Sequence, residues 1–295
     1  MTARSTPQPK PTAPPRSFSL AALLTGAPLL LWQAVFFLGA GVVLVLMSFW
    51  TIKNFRIVPE YSLENWQELL EGGLFRLIYL RTIGYAGLAA LLATLLAFPF
   101  AYGLAFTLAA RARRIAFLLL IVPFFTSYLV RIYAWTFLLA DDGPINYALR
   151  AIGLPGFDMQ GTLFAMEIGL LTAVFPLVTL ILLLSLMNVD PTLIEAAHNL
   201  GAGRWRTIWE VVIPGARVGI VSAFSFAFMI AFGDYVSPSF LGGSTRNTLS
   251  ILIVGATNAG GDFPKAAAIA IVMVVTLIVV LFGTFRLAFP PRRQA

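Results

Sequence analysis

Cysteine is absent from this chain of 295 residues, and histidine occurs once. Without thiols there is no disulfide scaffold and no Cys-held zinc or iron–sulfur cluster. One imidazole, His198, does not make a metal site. Charge is scarce too. Asp, Glu, Lys and Arg together make up 11% of the residues, against 59% that are hydrophobic. A soluble domain carries about 25% charged residues, so this chain cannot cover a water-facing surface and belongs in a bilayer. The chain has three lysines, Lys10, Lys53 and Lys265, and none follows a glycine. The Gly-Lys of a phosphate-binding loop is therefore missing, and with it ATP hydrolysis by this chain. Neither HExxH nor GxSxG occurs, which argues against an intramembrane enzyme.

What the chain has in quantity is apolar length. Six runs approach the roughly 20 residues that a helical span needs. They lie near 28–50, 82–106, 115–137, 162–186, 218–236 and 266–287. The first continues too far to be a cleavable signal segment. The polar, Pro-rich residues 1–20 before it predict a disordered tail, and 289–295 a second tail. Twelve of the 20 basic residues, among them Arg111, Arg113, Arg114, Arg204, Arg206, Arg217 and Arg286, fall on the side of the two termini. That bias puts both ends in the cytoplasm. It also explains the net charge of +7 without nucleic acid. The expected architecture is all-α and polytopic. In the first external loop, Leu63, Trp66, Leu69 and Leu70 predict a short helix on the outer interface, started by Ser62 and ended by Gly72. Pro99, Pro123 and Pro176 lie inside spans and predict kinks.

Between the fourth and fifth spans the chain leaves hydrocarbon for DPTLIEAAHNLGAGRWRTIWEVVIP, residues 190–214. Asp190 suits an N-cap and Pro191 the first helical position. Leu193, Ile194, Ala197 and Leu200 share one face, and Gly201 suits a left-handed end. Trp205, Ile208, Trp209 and Val212 predict a second helix, broken at Pro214. A simple turn needs only a few residues. A shaped elbow of this length points to docking on a cytoplasmic partner, or else to a helix pair lying on lipid.

The stretch resembles the EAA loop of permease subunits of binding-protein-dependent ABC importers. Glu195-Ala196-Ala197, Gly201, then Val211, Ile213 and Pro214 keep that spacing. The resemblance implies that Glu195, Ala196, Ala197, His198, Gly201 and Pro214 belong to a coupling helix seated on an ATP-binding subunit. A narrower likeness, to spermidine/putrescine-type permeases of the B type, rests on LLLIVPFFTSYLVRIYAWTFLL (118–139), GPINYALRAIGL and GDYVSPSFLGG. It implies a MetI-like type I permease core with one added N-terminal span. The parts would be a first span and external loop at 21–81 and a permease domain at 82–288, with its coupling loop at 187–217. Implied partners are two ATP-binding subunits, a second homologous permease, a periplasmic solute-binding protein and membrane lipid. No cofactor is implied in this chain, and its place would be the bacterial inner membrane. Relatives in the class import opines, 4-aminobutyrate, phosphonates and other small solutes. A self-sufficient secondary transporter would instead show matched halves, and the two halves here do not match.

Charges at membrane depth are costly and mark function. At about 1.5 Å per residue, Arg131, Glu167 and Asp234 all fall in the external third of their spans. Arg131 could snorkel outward, pair with Glu167 or meet solute. Glu167 could make an ion pair or a solute contact, and Asp234 could cap a helix or meet solute. Trp135 and Tyr235 are aromatic neighbours whose faces suit an ammonium ion, although aromatics are also ordinary at the membrane boundary.

Overall fold

The computed structural model describes residues 20–54 and 56–289, with the side chains of 20–26, 259 and 260 left aside. The tails expected at 1–20 and 289–295 therefore fall almost wholly outside the described residues, together with Arg4, Lys10, Arg16, Arg292 and Arg293. The chain divides into two units, residues 1–46 and 47–295. The first contains α1 (Leu20–Gln33), a π-helical stretch Ala34–Gly39 and the start of α2 (Ala40–Ser48). Of this, Ala27–Ser48 is long and apolar enough to cross a membrane.

The second unit opens with a hairpin that periodicity did not reveal. Strand β1 (Thr51–Lys53) pairs antiparallel with β2 (Arg56–Val58), Ile52 opposite Ile57. Asn54 at the turn has φ +53°, a conformation that asparagine tolerates better than most side chains. Next comes α3 (Glu64–Glu71), with the Ser62 hydroxyl accepting from the Glu64 N–H at 3.1 Å. Only Leu69 of its expected apolar face is buried, and Trp66 is half-buried, whereas Leu63 and Leu70 are exposed. The helix packs on α4 and α15 and is tied to the latter by a Lys265–Glu68 ion pair. It is part of the bundle as well as of the surface. Gly72 ends it with φ −68°, not left-handed; a side chain there would meet the Glu68 carbonyl at 2.6 Å.

Two long, unbroken spans follow the sequence: α4 (Gly73–Tyr102), continued by a π-helical turn to Thr107, and α8 (Leu163–Met187). Between them stand α5 (Ala110–Phe125), α6 (Tyr128–Leu138) and α7 (Pro144–Ala151). The straight third span expected over 115–137 is not there. Helices α5 and α6 meet at 97° across Thr126–Ser127, where Ser127 turns to ψ 133°. The depth assigned to Arg131 by counting along one straight helix therefore lapses. After α8 come α9 (Pro191–Asn199), α10 (Arg204–Thr207), a π-helical turn Ile208–Val212, α11 (Ile213–Gly215) and α12 (Arg217–Gly233). Then follow α13 (Val236–Leu241), α14 (Leu249–Gly260) and the last span α15 (Phe263–Ala288). Helix α14 lies in what the sequence suggested was only loop, and its 12 residues are too few to span a bilayer. Among the described residues there are thus 4 unbroken candidate spans, and 6 when each of two bent pairs counts as one.

The core is the triangle α4–α8–α12, with α15 and α14 against it. Along α4, Ala86, Ala89, Ala90, Ala93, Ala97 and Ala101 are buried, so from Ala86 onward this face carries nothing larger than a methyl. Small residues let membrane helices approach closely, where dispersion and not hydrophobicity holds them. Helices α12 and α8 approach closely at Gly219. A side chain on Gly219 would stand 2.0 Å from the Ser185 Cβ. Gly219→Val is expected to force the helices apart and cost about 1–3 kcal/mol, the usual range for overpacking. The readout is the thermal midpoint of the detergent-purified chain, and an unchanged midpoint would mean the crossing yields freely.

Candidate functional site

The elbow after α8 is built as local physics dictates. Asp190 accepts from the Thr192 N–H at 2.9 Å and from its hydroxyl at 2.8 Å. These bonds hold the Asp190 carboxyl below the usual carboxylate range, the backbone bond being the larger cause. Pro191 occupies the first turn of α9, and Gly201 ends the helix at φ +82°. The following helix does not stop at Pro214. It continues to Gly215 and bends by 73° into α12. Proline clashes with the carbonyl four residues back, here that of Glu210. The wider π-helical turn Ile208–Val212 lies across that position and accommodates the ring.

Of the expected apolar face of α9, Ile194 packs on the core, but Leu193 and Leu200 stay exposed, Leu200 at 89%. With Ala196 and Ala197 they form one wall of a concavity of roughly 620 Å³, and Arg206, Glu210 and Pro214 stand on its other side. The Arg206 Nε–H is shared between the two Glu210 carboxylate oxygens, at 2.9 and 3.1 Å. Glu195 and His198 are exposed, with no side-chain hydrogen bond or ion pair to the described residues. The elbow therefore presents small and apolar groups beside an uncommitted carboxylate.

The other candidates lie where two helices break. Asp234 sits between α12 and α13 and is half-buried. One of its oxygens accepts the Val236 N–H at 3.0 Å; the other takes the Ser237 N–H at 3.3 Å and the Tyr128 hydroxyl at 2.6 Å. Tyr128 opens α6, just past the 97° bend, and its hydroxyl also lies 2.6 Å from the Ser237 hydroxyl. Asp234 thus fastens one break to the other.

Arg131 is one turn further along α6, its guanidinium 5.7 Å over the Tyr128 ring. It does not pair with Glu167. Its Nη1 donates instead to the Thr172 carbonyl of α8 at 2.9 Å. That carbonyl is four residues before Pro176, which has no N–H to give it. The proline and the arginine are thus two halves of one arrangement. Arg131 Nε is buried without a partner. Arg131, Asp234, Tyr128, Ala173, Ile230 and Gly233 line an open recess of roughly 240 Å³.

The remaining candidates stand apart from that recess. Trp135 packs in a small core with Ile132, Leu139, Ala165 and Leu241. Tyr235 is 38% exposed at the start of α13. Glu167 is 5% exposed on α8, and neither carboxylate oxygen has a hydrogen-bond partner. Among the described residues, no group of three or more His, Asp or Glu side chains could hold a metal ion. Tyr128, Thr172 and Ser237 were not singled out by the sequence; the position four before Pro176 was the one available signal.

Residues 89–294 match the family described as the binding-protein-dependent transport system inner membrane component. This chain belongs to that family. As a member it is the inner-membrane permease subunit of an ABC importer and not itself an enzyme. Among curated relatives, it is 27% identical to the inner membrane ABC transporter permease protein YdcU of Escherichia coli (strain K12), over 88% of this chain and 87% of that protein. It is 28% identical to the spermidine/putrescine transport system permease protein PotB of the same organism, over 86% of this chain and 93% of PotB. Among solved structures, the fold agrees with a chain of a bacterial ABC transporter involved in import of the acidic polysaccharide alginate. There the TM-score is 0.76 at 18% identity, covering 93% of this permease and 96% of that chain. It agrees less fully with a chain of the inward-facing MetNI methionine ABC transporter, at TM-score 0.54 and 15% identity, covering 74% and 97%.

Proposed function

We propose that this permease passes a polyamine of the spermidine/putrescine class from a periplasmic binding protein to the cytoplasm. It does so beside a second homologous permease and above two ATP-binding subunits, and it needs no cofactor of its own. The domain doing this runs over 82–288. Residues 1–20 and 289–295 are cytoplasmic tails, and 21–81 adds a span and an external loop. The α9 elbow, through Glu195, Ala196, Ala197, His198, Gly201 and Pro214, is the contact to one ATP-binding subunit. ATP binding there closes the motor, moves the elbow and tilts the α12 it continues into.

The observation that supports a cationic solute is Glu167. A buried carboxylate with both oxygens unpartnered is expensive in a membrane and is kept for a purpose. In this arrangement it is shut inside the bundle, and an opened state would offer it to an ammonium group. Likeness to PotB over most of both chains points the same way. A second reading rests on Arg131, whose free Nε suits a solute that also carries an acid group, such as 4-aminobutyrate, an opine or a phosphonate.

The deciding experiment is calorimetric titration of the cognate binding protein with spermidine, putrescine, 4-aminobutyrate and 2-aminoethylphosphonate. Heat with the two polyamines alone supports the first reading. Heat only with an acid-bearing solute overturns it in favour of the second. In the assembled transporter, Glu167→Gln keeps the shape and removes the charge. Polyamine uptake is expected to fall about tenfold or more, since one charge-assisted bond is worth about 1.5–3 kcal/mol.

A further inference from the structure

At the Arg-rich end of the bundle a groove of roughly 620 Å³ lies between α4, α12, the end of α15 and the arm Arg204–Gly215. Leu95, Phe98, Ile208, Trp209, Phe224 and Leu287 are among the residues of its wall. Two hydroxyls also line it, and both are turned back on their own helices. Thr94 donates to the Ala90 carbonyl at 2.8 Å and Thr284 to the Val280 carbonyl at 2.9 Å. Apart from the indole N–H groups of Trp205 and Trp209, the wall offers no free polar group to water or to a polar solute, and such a trough takes hydrocarbon.

The rim has the opposite character. Arg204 adjoins the wall residue Trp205, and Arg286 adjoins Leu287. Both arginines are exposed, and neither makes a side-chain hydrogen bond or ion pair with the described residues. Arg217 donates to the backbone carbonyl of the wall residue Leu287. The acid of the arm, Glu210, is already taken by Arg206. Trp205 and Trp209, one turn apart, are 77% and 67% exposed, the placement of indoles at a membrane–water boundary.

From a hydrocarbon trough edged by two uncommitted guanidiniums and a third held on the Leu287 carbonyl, we infer that the groove seats an anionic phospholipid of the cytoplasmic leaflet. Its acyl chain lies along α4 and the arm, and its phosphate among Arg204, Arg217 and Arg286. Such a lipid touches the three-helix core and the lever at once. The charge of the leaflet thereby bears on the element that couples ATP to transport. This goes beyond the import reaction, which is silent on lipid.

The test offers the detergent-purified full chain equal amounts of phosphatidylglycerol and phosphatidylcholine and reads the bound lipid by native mass spectrometry. Phosphatidylglycerol should be retained in preference. Arg204→Ala and Arg286→Ala should each lower its retention about fivefold, the equivalent of ~1 kcal/mol per basic residue near a membrane surface. A measurement without mutation runs alongside. A photoactivatable phosphatidylglycerol, cross-linked to the unaltered chain, should label peptides from 91–99 and 205–213. Equal retention of the two lipids overturns the inference, as does label confined to the opposite ends of the helices. Loss of the label on assembly with the other subunits overturns it too, because a protein would then fill the groove.

Discussion

Glu195→Lys is expected to abolish uptake while the permease still inserts in the membrane. The argument starts from what Glu195 does not touch. It is exposed on α9 and has no side-chain partner among the described residues, so reversing its charge disturbs no contact seen among them. Exposed surface substitutions usually change stability by less than about 0.5 kcal/mol. If the elbow seats on an ATP-binding subunit, the same change puts a cation where that surface expects a carboxylate. Breaking one side of a buried charge pair costs about 2–5 kcal/mol, hence at least about 30-fold weaker association. The measurement is co-purification of the ATP-binding subunit with the permease, together with solute-driven ATP hydrolysis in vesicles. Gly201→Val tests the same joint differently. Gly201 holds φ +82° with open space around it, so a β-branched residue fails there through backbone strain, not collision. Intact co-purification and normal uptake in both variants would mean that the elbow rests on lipid.

How far the sequence revealed this elbow, and where it fell short, has a physical pattern. Caps and turns are local: Asp190, Pro191 and Gly201 act within a few residues of chain, and each sits as its chemistry requires. Apolar length is local too, which is why Ala27–Ser48, α4, α8 and α15 stand where hydropathy placed them, although α4 begins nine residues earlier than the expected 82. What is decided between helices was hidden. The 97° break in 115–137 keeps its apolar composition on both sides, so a hydropathy window runs straight over it. The apolar run Leu249–Gly260 is packed on α15 and was too short to register as a span. Asp234 was read as a helix cap or a solute contact; it does cap the start of α13, but its bonding to Tyr128 over 106 positions is invisible to any local reading. Pro214 was expected to break its helix; the 73° break comes two residues on, at Ala216, because the π-helical turn before the proline takes up its ring.

The same distinction gives the sharpest test of Arg131. Removing the guanidinium leaves the Thr172 carbonyl without the donor that Pro176 also denies it. An unsatisfied buried polar group costs about 1–3 kcal/mol, so Arg131→Ala is expected to lower the thermal midpoint of the purified subunit clearly. Pro176→Ala restores an N–H at the position from which α-helical geometry reaches Thr172. In the Arg131→Ala background it should recover most of that loss. In the native background the new N–H competes with the guanidinium and gains less. The two substitutions are thus coupled, with an interaction energy on the order of 1–3 kcal/mol. Uptake separates the roles. If Arg131 only braces the helix, the double variant regains transport along with stability. If its free Nε meets an acid group on the solute, stability returns and transport does not, and the second reading of the substrate gains ground. Additive stability effects would mean that the arginine and the proline share no carbonyl, and the brace would have to be abandoned.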